Sequence, residues 1–505
     1  MSPEQALPAA PAFRLNGRPE PLAGVDPNVT LLRYVREKGL VGTKEGCAEG
    51  DCGACTVAVL EPDAEGRPCY RAVNSCLVLL PSLAGLDVVT VEGLAGPLPA
   101  DGVAGAGSGA ANPPGQPAGR AVALHPVQAA LAAAGGSQCG YCTPGFVMSL
   151  FVDHYPRPGQ ARPPVTDVLA GNLCRCTGYR PIRTAAEQLR RGDGAGDDLD
   201  PFALRLRAAS AGLSRHAVSL RAFGRRYERP ERLAEALAIL AASPQSRPVA
   251  GGTDLVLEVT KAFRPLESLV ALDGIAELRR IRAHGGGWEI GAAATLTEVG
   301  ETVGDSVPLL HALLPLFASL QIRNRATVGG NLCTASPIGD LAPVLLALDA
   351  VAVLAGPSGL RRVPLETFFT AYRQTVRRPD ELLVAVRLPP PPAAGRRLSR
   401  VYKVAKRSRV DTSTVAAACC LDLDGAGRVR RARLAYGGVA ATPARATRAE
   451  AALEGRRWDG AALAAAQTAL EGAFTPISDA RGGAGYRRSL VRNLLQRFYE
   501  ETAVA

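Results

Sequence analysis

The chain has no long hydrophobic run. Its most apolar stretch, Leu341 to Ala355, is interrupted by Pro343 and Asp349. It falls short of the roughly 20 apolar residues a membrane-spanning helix needs. The N-terminus, MSPEQALPAAPAF, has an early Glu, prolines and no apolar core, so it does not read as a secretory signal. Aromatic residues make up only 5 % of the chain, which leaves few stacking platforms for nucleic acid. There is also no run of five basic residues and no basic stripe interleaved with aromatics. The formal charge of +11 comes mainly from arginine. A compositional preference for Arg over Lys accounts for it; the other reading is a basic surface facing an acidic partner or a dinucleotide phosphate. These absences lead to the expectation of a cytoplasmic protein with no nucleic acid and no membrane partner.

What is present is length, an apolar half and cysteine. At about 150 residues per domain, 505 residues suggest three or four domains, and 47 % apolar residues can give each a core. Twelve cysteines in a cytoplasmic chain point to metal rather than to a disulfide framework.

Eight of them form two groups. Cys47, Cys52 and Cys55 stand in GCAEGDCGACTV, with Cys76 downstream in VNSCLVLL. C-x4-C-x2-C with a distant fourth Cys is the plant-type [2Fe–2S] spacing. Such a loop must wrap closely around the cluster and offer backbone N–H groups to its sulfides. Gly46, Gly50 and Gly53 allow positive φ and close approach. Zinc is the other reading, although zinc sites favour paired C-x2-C knuckles. Spacing leaves Cys69, in a GRPCY turn, open as the fourth ligand; Cys76 opens an apolar, strand-like run. Around the loop, Phe13 to Leu15 and Asn16-Gly17 read as a strand entering a hairpin. Thr30 caps a helix that Gly39 stops, and a further strand covers Thr56 to Leu60.

The second group is Cys139 and Cys142 in SQCGYCTPGF, then Cys174 and Cys176 in GNLCRCTGYRP. Helical segments over Phe146 to Tyr155 and Val165 to Ala170 hold the two ligand turns side by side. Pro144 and Pro181 suit the first turn of a helix. By spacing alone, zinc competes here with iron–sulfur.

Together CAEGDCGAC, QCGYCTPGF and GNLCRCTGYRPI resemble the two iron–sulfur domains of the molybdenum hydroxylases, the xanthine dehydrogenase and aldehyde oxidase family. That resemblance implies [2Fe–2S] at both groups, the first in a β-grasp ferredoxin domain (11–94) and the second in a four-helix bundle (120–190). It thereby sets zinc aside. A Gly/Pro/Ala-rich linker, 95–119, lies between them; its GAGSGA follows no strand and precedes no helix, so it is not a phosphate loop. A second linker, 191–216, contains GDGAGDDLD.

Beyond it, strands and helices alternate, beginning with an amphipathic helix over Glu231 to Ala242. RPVAGGTDLVLEV and TVGGNLCTASPIGD each place a glycine pair in a turn. Bare N–H groups and hydroxyls in such turns suit a pyrophosphate, but by composition ordinary tight turns fit equally well. The resemblance identifies both as FAD-binding segments of a non-Rossmann α+β domain (217–392), followed by a C-terminal α+β flavoprotein domain (398–505). It implies that Ala250, Gly251, Gly252, Thr253, Asp254, Leu255, Gly330, Asn331, Thr334, Ser336 and Asp340 line the phosphates and ribose. Phe317 and Ala318 would lie by the isoalloxazine, Leu382 and Leu383 near the adenine, and Lys403 near the flavin ring. A solvated lysine on a basic strand is the alternative for Lys403. Cys333, Cys419 and Cys420 show no ligand spacing and read as buried thiols.

The expected whole is a multidomain α+β electron-transfer chain with two [2Fe–2S] clusters and FAD. It resembles the small subunits of the xanthine dehydrogenase branch and leaves no room for a molybdopterin domain. Substrate oxidation is therefore expected on a molybdenum-cofactor-binding large subunit, in a heterotetramer with NAD+ as acceptor, and no catalytic residue is expected on this chain. The rivals are a subunit of another molybdenum hydroxylase, acting on an aldehyde or N-heterocycle with a different acceptor, and a non-enzymatic metal-binding module.

Overall fold

Alternation along Ala12–Leu15 sends Phe13 and Leu15 into the core, and the strand turns back on Arg18–Pro21 in an antiparallel hairpin. The pair joins a mixed five-stranded sheet with Asp87–Val89, Thr56–Pro62 and Pro68–Asn74. The helix Leu31–Glu37 lies against it through Leu31, Leu32 and Val35, with Thr30 Oγ accepting from the Arg33 amide. The computed structural model describes residues 11–63, 65–94, 124–157, 159–192, 200–208, 212–392 and 394–503. Its contacts divide into two compact units.

The first unit comprises Met1–Glu231, Ser246–Gly274 and Ser319–Arg325. Besides the sheet it contains the helices Pro126–Ala133, Thr143–His154, Val165–Ala170 and Arg180–Arg191, each starting with a proline at or just before its first turn. A second sheet pairs Val218–Ala222 with Arg225–Arg229. Arg225–Arg229 runs parallel to Ser268–Ala271, which in turn runs parallel to Arg247–Val249. The two sheets share one apolar core, in which Leu77 and Leu79 meet Tyr227, Val249 and Val256.

Two expectations change. The apolar run after Cys76 is not a strand: Ser75–Leu77 and Leu80–Leu83 are short 3-10 turns. Every residue of the run is buried, so it shows no strand periodicity, and the Ser75 hydroxyl turns the chain by donating to the Cys55 carbonyl. The expected linker 191–216 carries a helix, Pro201–Ala208. Asp200 caps it by accepting from the Phe202 amide, and Phe202 is buried against Tyr155, Phe151 and His125. Residues 193–199 and 209–211 of that linker, and all of 95–119 with its GAGSGA run, lie outside the described residues. By contacts, 217–231, 246–274 and 319–325 group with the first unit and the rest of 217–392 with the second. The segment Ser319–Arg325 buries Gln321, Arg323, Asn324 and Arg325 and binds cysteine-bearing parts of the first unit. Arg323 pairs with Asp167 at 2.6 Å, and Asn324 donates to the Ala72 carbonyl.

The second unit comprises Arg232–Gln245, Ile275–Ala318 and Ala326–Ala505. One sheet runs in the order Ile281–His284, Gly287–Gly291, Leu382–Leu388, Val351–Gly356, Gly359–Pro364. Phe369–Ala371 pairs with Gln374–Thr375 in a two-stranded sheet. Another sheet is a meander of Arg396–Val404, Val415–Leu423, Val429–Gly437 and Ala444–Arg445. Against it pack Gly460–Leu470, through Leu463, Ala466 and Leu470, and Ala484–Thr502, through Val491, Leu494, Leu495 and Phe498. That spacing places each set on one helix face. Among the described residues no helix is long and apolar enough to cross a membrane.

Candidate metal and flavin sites

The first cysteine loop is shaped by close contacts. A Cβ on Gly46 would meet Cys52 Sγ at 2.7 Å, and one on Gly53 would meet the Gly171 carbonyl at 2.0 Å. Gly53 also takes φ +67°, so both space and conformation require glycine there. Within this loop the thiols stand in pairs. Cys55 and Cys76 Sγ lie 3.4 Å apart, and Cys47 hydrogen-bonds Cys52. Amides of Glu49 and Cys52 donate to Cys47 Sγ at 3.4 Å, and Asn74 Nδ2 points at Cys55 Sγ from 3.9 Å. Cys69 sits apart on Pro68–Asn74, opposite Glu61, its thiol pushed up to about 11 by burial.

The second group repeats the pairing on helix-bordered turns. Cys139 and Cys176 Sγ lie 3.6 Å apart, and Cys142 hydrogen-bonds Cys174. Cys139 and Cys176 are exposed, Cys142 and Cys174 half-buried. Cys174 Sγ is 3.2 Å from the Thr177 hydroxyl and accepts from the Thr177 amide at 3.5 Å.

Shared protons set the thiol chemistry. The hydrogen bond from Cys52, against the pull of burial, and backbone amides bring Cys47 down to about 5, while the same contact raises Cys52. Cys76 likewise lowers Cys55 and is itself raised. Burial, then Cys174, pushes Cys142 up to about 12. Cys174 is lowered: burial opposes this, and the Thr177 hydroxyl and amides of Thr177 and Cys176 outweigh it. Four thiolates this close repel one another unless a cationic centre neutralises them. Among the described residues no three His, Cys, Asp or Glu side chains converge on a point that would hold a single metal ion. Two thiols per metal, twice over, is the donor set of a dinuclear cluster, whose four cysteines serve two irons.

The two loops are joined. The Leu173 amide donates to the Cys52 carbonyl at 2.9 Å, tying a residue beside Cys174 to Cys52 itself. Asn172 donates to the Gly53 carbonyl and to Thr56 Oγ, at 3.0 and 3.2 Å. Its own Oδ1 accepts from Ser149 and from Gln321. Sequence reading missed this network. The available signal was the polar run QIRNR (321–325), ahead of a glycine pair.

The expected FAD residues divide between the units. In the first, Gly251 and Gly252 line a small cavity with Leu77, Tyr227 and Arg325. Tyr227 Oη and Arg325 Nε are buried there without hydrogen-bond partners among the described residues. The Arg325 guanidinium is lowered by burial first and by Arg215 second. Thr253, Asp254 and Leu255 follow Ala250 in the same turn, with Asp254 exposed.

In the second unit, Lys403 is not a solvated lysine. Its Nζ is buried, 2.8 Å from Asp340 Oδ2, and donates to the Leu316 carbonyl at 2.9 Å, beside buried Phe317 and positive-φ Ala318. The Ser413 hydroxyl takes the other oxygen of Asp340. Thr334 Oγ donates to the Gly330 carbonyl, Ser336 Oγ accepts from the Ile338 amide, and Leu382 and Leu383 are buried on their strand. Asn331 Oδ1 is buried with no partner among the described residues. An orphaned acceptor of this kind suits a donor such as a ribose hydroxyl.

Four family models match the chain: a 2Fe-2S iron-sulfur cluster binding domain over 13–80 and a [2Fe-2S] binding domain over 115–187, then the FAD binding domain in molybdopterin dehydrogenase over 221–391 and the CO dehydrogenase flavoprotein C-terminal domain over 400–502. The chain is 33 % identical to a xanthine dehydrogenase of Emericella nidulans, covering 97 % of this chain and 38 % of that protein. It is 31 % identical to a xanthine dehydrogenase/oxidase of Gallus gallus, over 96 % and 39 %. It thus spans about two-fifths of the length of the curated relatives it matches. Among solved structures, a chain of carbon monoxide dehydrogenase from Hydrogenophaga pseudoflava matches at 31 % identity and TM-score 0.51, over 54 % of this chain and 94 % of that one. Quinoline 2-oxidoreductase from Pseudomonas putida 86 matches at 31 % and 0.50, over 55 % and 96 %. With 2Fe-2S and FAD-binding models in the order of its own motifs, the chain belongs to the molybdenum hydroxylase family and carries its iron–sulfur and flavin portion.

Proposed function

We propose that this chain is the electron-transfer subunit of a cytoplasmic xanthine dehydrogenase, which converts hypoxanthine and xanthine to urate. A molybdenum-cofactor-binding large subunit is its electron donor and NAD+ its acceptor, in a heterotetramer on the family's pattern. The observation that carries the reading is the pairing of thiols at both sites: Cys47 with Cys52 and Cys55 with Cys76, then Cys139 with Cys176 and Cys142 with Cys174. Each set is assigned one [2Fe–2S] cluster. When bound, the clusters supply one-electron carriers and FAD the exchange between one- and two-electron chemistry.

The chain's own residues do the holding. Amides of Glu49 and Cys52 place partial positive charge on Cys47, which favours the thiolate. Gly46 and Gly53 let the backbone close on the thiols. For FAD, Ala250 to Leu255 and Gly330 to Asp340 are assigned to the phosphates and ribose. Arg325 behind the glycine turn contributes positive charge, and Asn331 Oδ1 serves as an acceptor. Lys403, locked by Asp340 and Leu316, fixes the backbone beside Phe317 and Ala318, the residues assigned to the isoalloxazine.

The quinoline and carbon monoxide enzymes among the similar structures make another molybdenum hydroxylase the second reading. Anaerobic titration with NADH, followed by absorbance and electron paramagnetic resonance, separates the two. Flavin bleaching followed by two distinct [2Fe–2S] signals is the expected result. Reduction by dithionite alone would replace NAD+ by another acceptor. A chain holding zinc and no flavin would overturn both.

A further inference from the structure

The motif CRCTGY closes a hydrogen-bonded ring around one sulfur. The Cys174 amide donates to Tyr179 Oη at 3.0 Å, and the Tyr179 amide donates to Thr177 Oγ1 at 3.2 Å. Thr177 Oγ1 lies 3.2 Å from Cys174 Sγ, and the Thr177 amide donates to the same sulfur. The ring requires an unusual backbone. Gly178 takes φ +64° and Tyr179, which is not glycine, φ +67°, a conformation that costs on the order of 1 kcal/mol or more. No side-chain cap on the following helix repays it. What the turn does achieve is to aim the Tyr179 amide at the Thr177 hydroxyl.

The charge state of the sulfur decides the direction of the hydroxyl bond. The Tyr179 N–H occupies one of the two lone pairs of Thr177 Oγ1, and the hydroxyl proton is free to point at Cys174. A metal-bound sulfur carries no proton and accepts only, so the Thr177 hydroxyl is the donor in the loaded protein. Hydrogen bonds to cluster sulfurs stabilise the more negative, reduced state and raise the reduction potential. Elsewhere among the described residues, the first site's sulfurs receive backbone amides and, from 3.9 Å, the Asn74 side chain, but no hydroxyl.

We propose that Thr177 is a potential-setting residue of the second cluster: its hydroxyl, whose oxygen accepts from the Tyr179 amide, donates to Cys174 Sγ and holds that cluster's potential above the value it would otherwise have. The inference rests on reading the second thiol site as a [2Fe–2S] cluster. Thr177 itself binds no iron and touches no substrate.

The test is redox potentiometry of the full chain, with whatever subunit copurifies, in wild type, Thr177→Val, Thr177→Ala and Thr177→Ser. Each cluster is followed by its own paramagnetic signal. In Val and Ala the second cluster's midpoint shifts to more negative potential and the first cluster's stays put; Ser restores the wild-type value. An unchanged second potential in Val or Ala, a Ser shift as large as theirs, or equal movement of both clusters overturns the proposal. So does assembly of the second cluster in Ser alone, which would make the hydroxyl an assembly determinant. A wild-type chain with iron but no second [2Fe–2S] signal would instead sink the cofactor reading on which the inference stands.

Discussion

The two thiol sites use the same pairing in opposite surroundings. In the first, Cys55 and Cys76 are 2 % and 1 % exposed and join the apolar core of the sheet. In the second, Cys139 and Cys176 lie on the surface, and helices hold the turns from behind. A buried set is protected by packing; an exposed set depends on local hydrogen bonds such as the Thr177 ring. The difference shows that ligand spacing specifies which metal centre can form, while the surroundings specify how well it is shielded and tuned.

The largest effect sharpens that contrast by removing one ligand at a time. Cys174→Ser is expected to abolish the second cluster's paramagnetic signal, halve the iron and block substrate-to-NAD+ turnover, while NADH still reduces the flavin. Cys55→Ser is expected to abolish the first signal instead. If either change erased both signals, or left both intact, the assignment of two separate sites would break.

Gly53→Val attacks the place where the loops meet. The new Cβ meets the Gly171 carbonyl at 2.0 Å and sits at φ +67°; overpacking plus conformational strain should cost about 2–4 kcal/mol. Urea unfolding of the full chain measures it. Both cluster signals should broaden together, whereas a change confined to one would mean that the loops are independent.

A pH dependence starting near neutral should arise in the second region. The Val127 amide donates to His125 Nδ1, while the Tyr155 hydroxyl donates to Asp200. His125 Nε2 must then donate to Tyr155 Oη, which leaves the ring neutral. Burial first, and His154 second, bring His125 down to about 4 from its ordinary 6.5. Below pH 6.5 the unfolded chain takes up a proton that the folded chain refuses. Stability is therefore complete above 6.5 and declines as pH falls toward 4, by roughly 2–3 kcal/mol. His125→Asn should flatten this window in urea midpoints measured from pH 7 to 4; an unchanged slope would place the titration elsewhere.

The smallest expected effect is one of rate. An iron chelator should bleach the second cluster before the first, because its outer sulfurs face solvent. Equal bleaching rates would show that exposure in the folded chain does not control access.

Much of this was legible in the residues. Thr30 capping, the Thr56 strand and the helices after Pro144 and Pro181 follow from local periodicity and caps. The helix Pro201–Ala208 was hidden by its Gly- and Asp-rich flank, and the 3-10 turns after Cys76 by uniform burial. The ion pair that buries Lys403 was out of reach, because its partner Asp340 is 63 positions away. The role of Gln321 was likewise out of reach, since its partners Ser149 and Asn172 come from other elements.

By itself, the sequence determined the ligand types, their grouping and the order of the iron–sulfur and flavin segments. Those depend on residue identity and short-range spacing, which the chain carries in one dimension. Only the tertiary structure decided which thiol pairs with which, that Cys76 rather than Cys69 stands beside Cys55, and that Leu173 bridges to Cys52. Only it also put a hydroxyl on Cys174. Sulfur pairing, burial and hydrogen-bond direction are set by how distant turns close on one another, and spacing along a chain does not contain those angles.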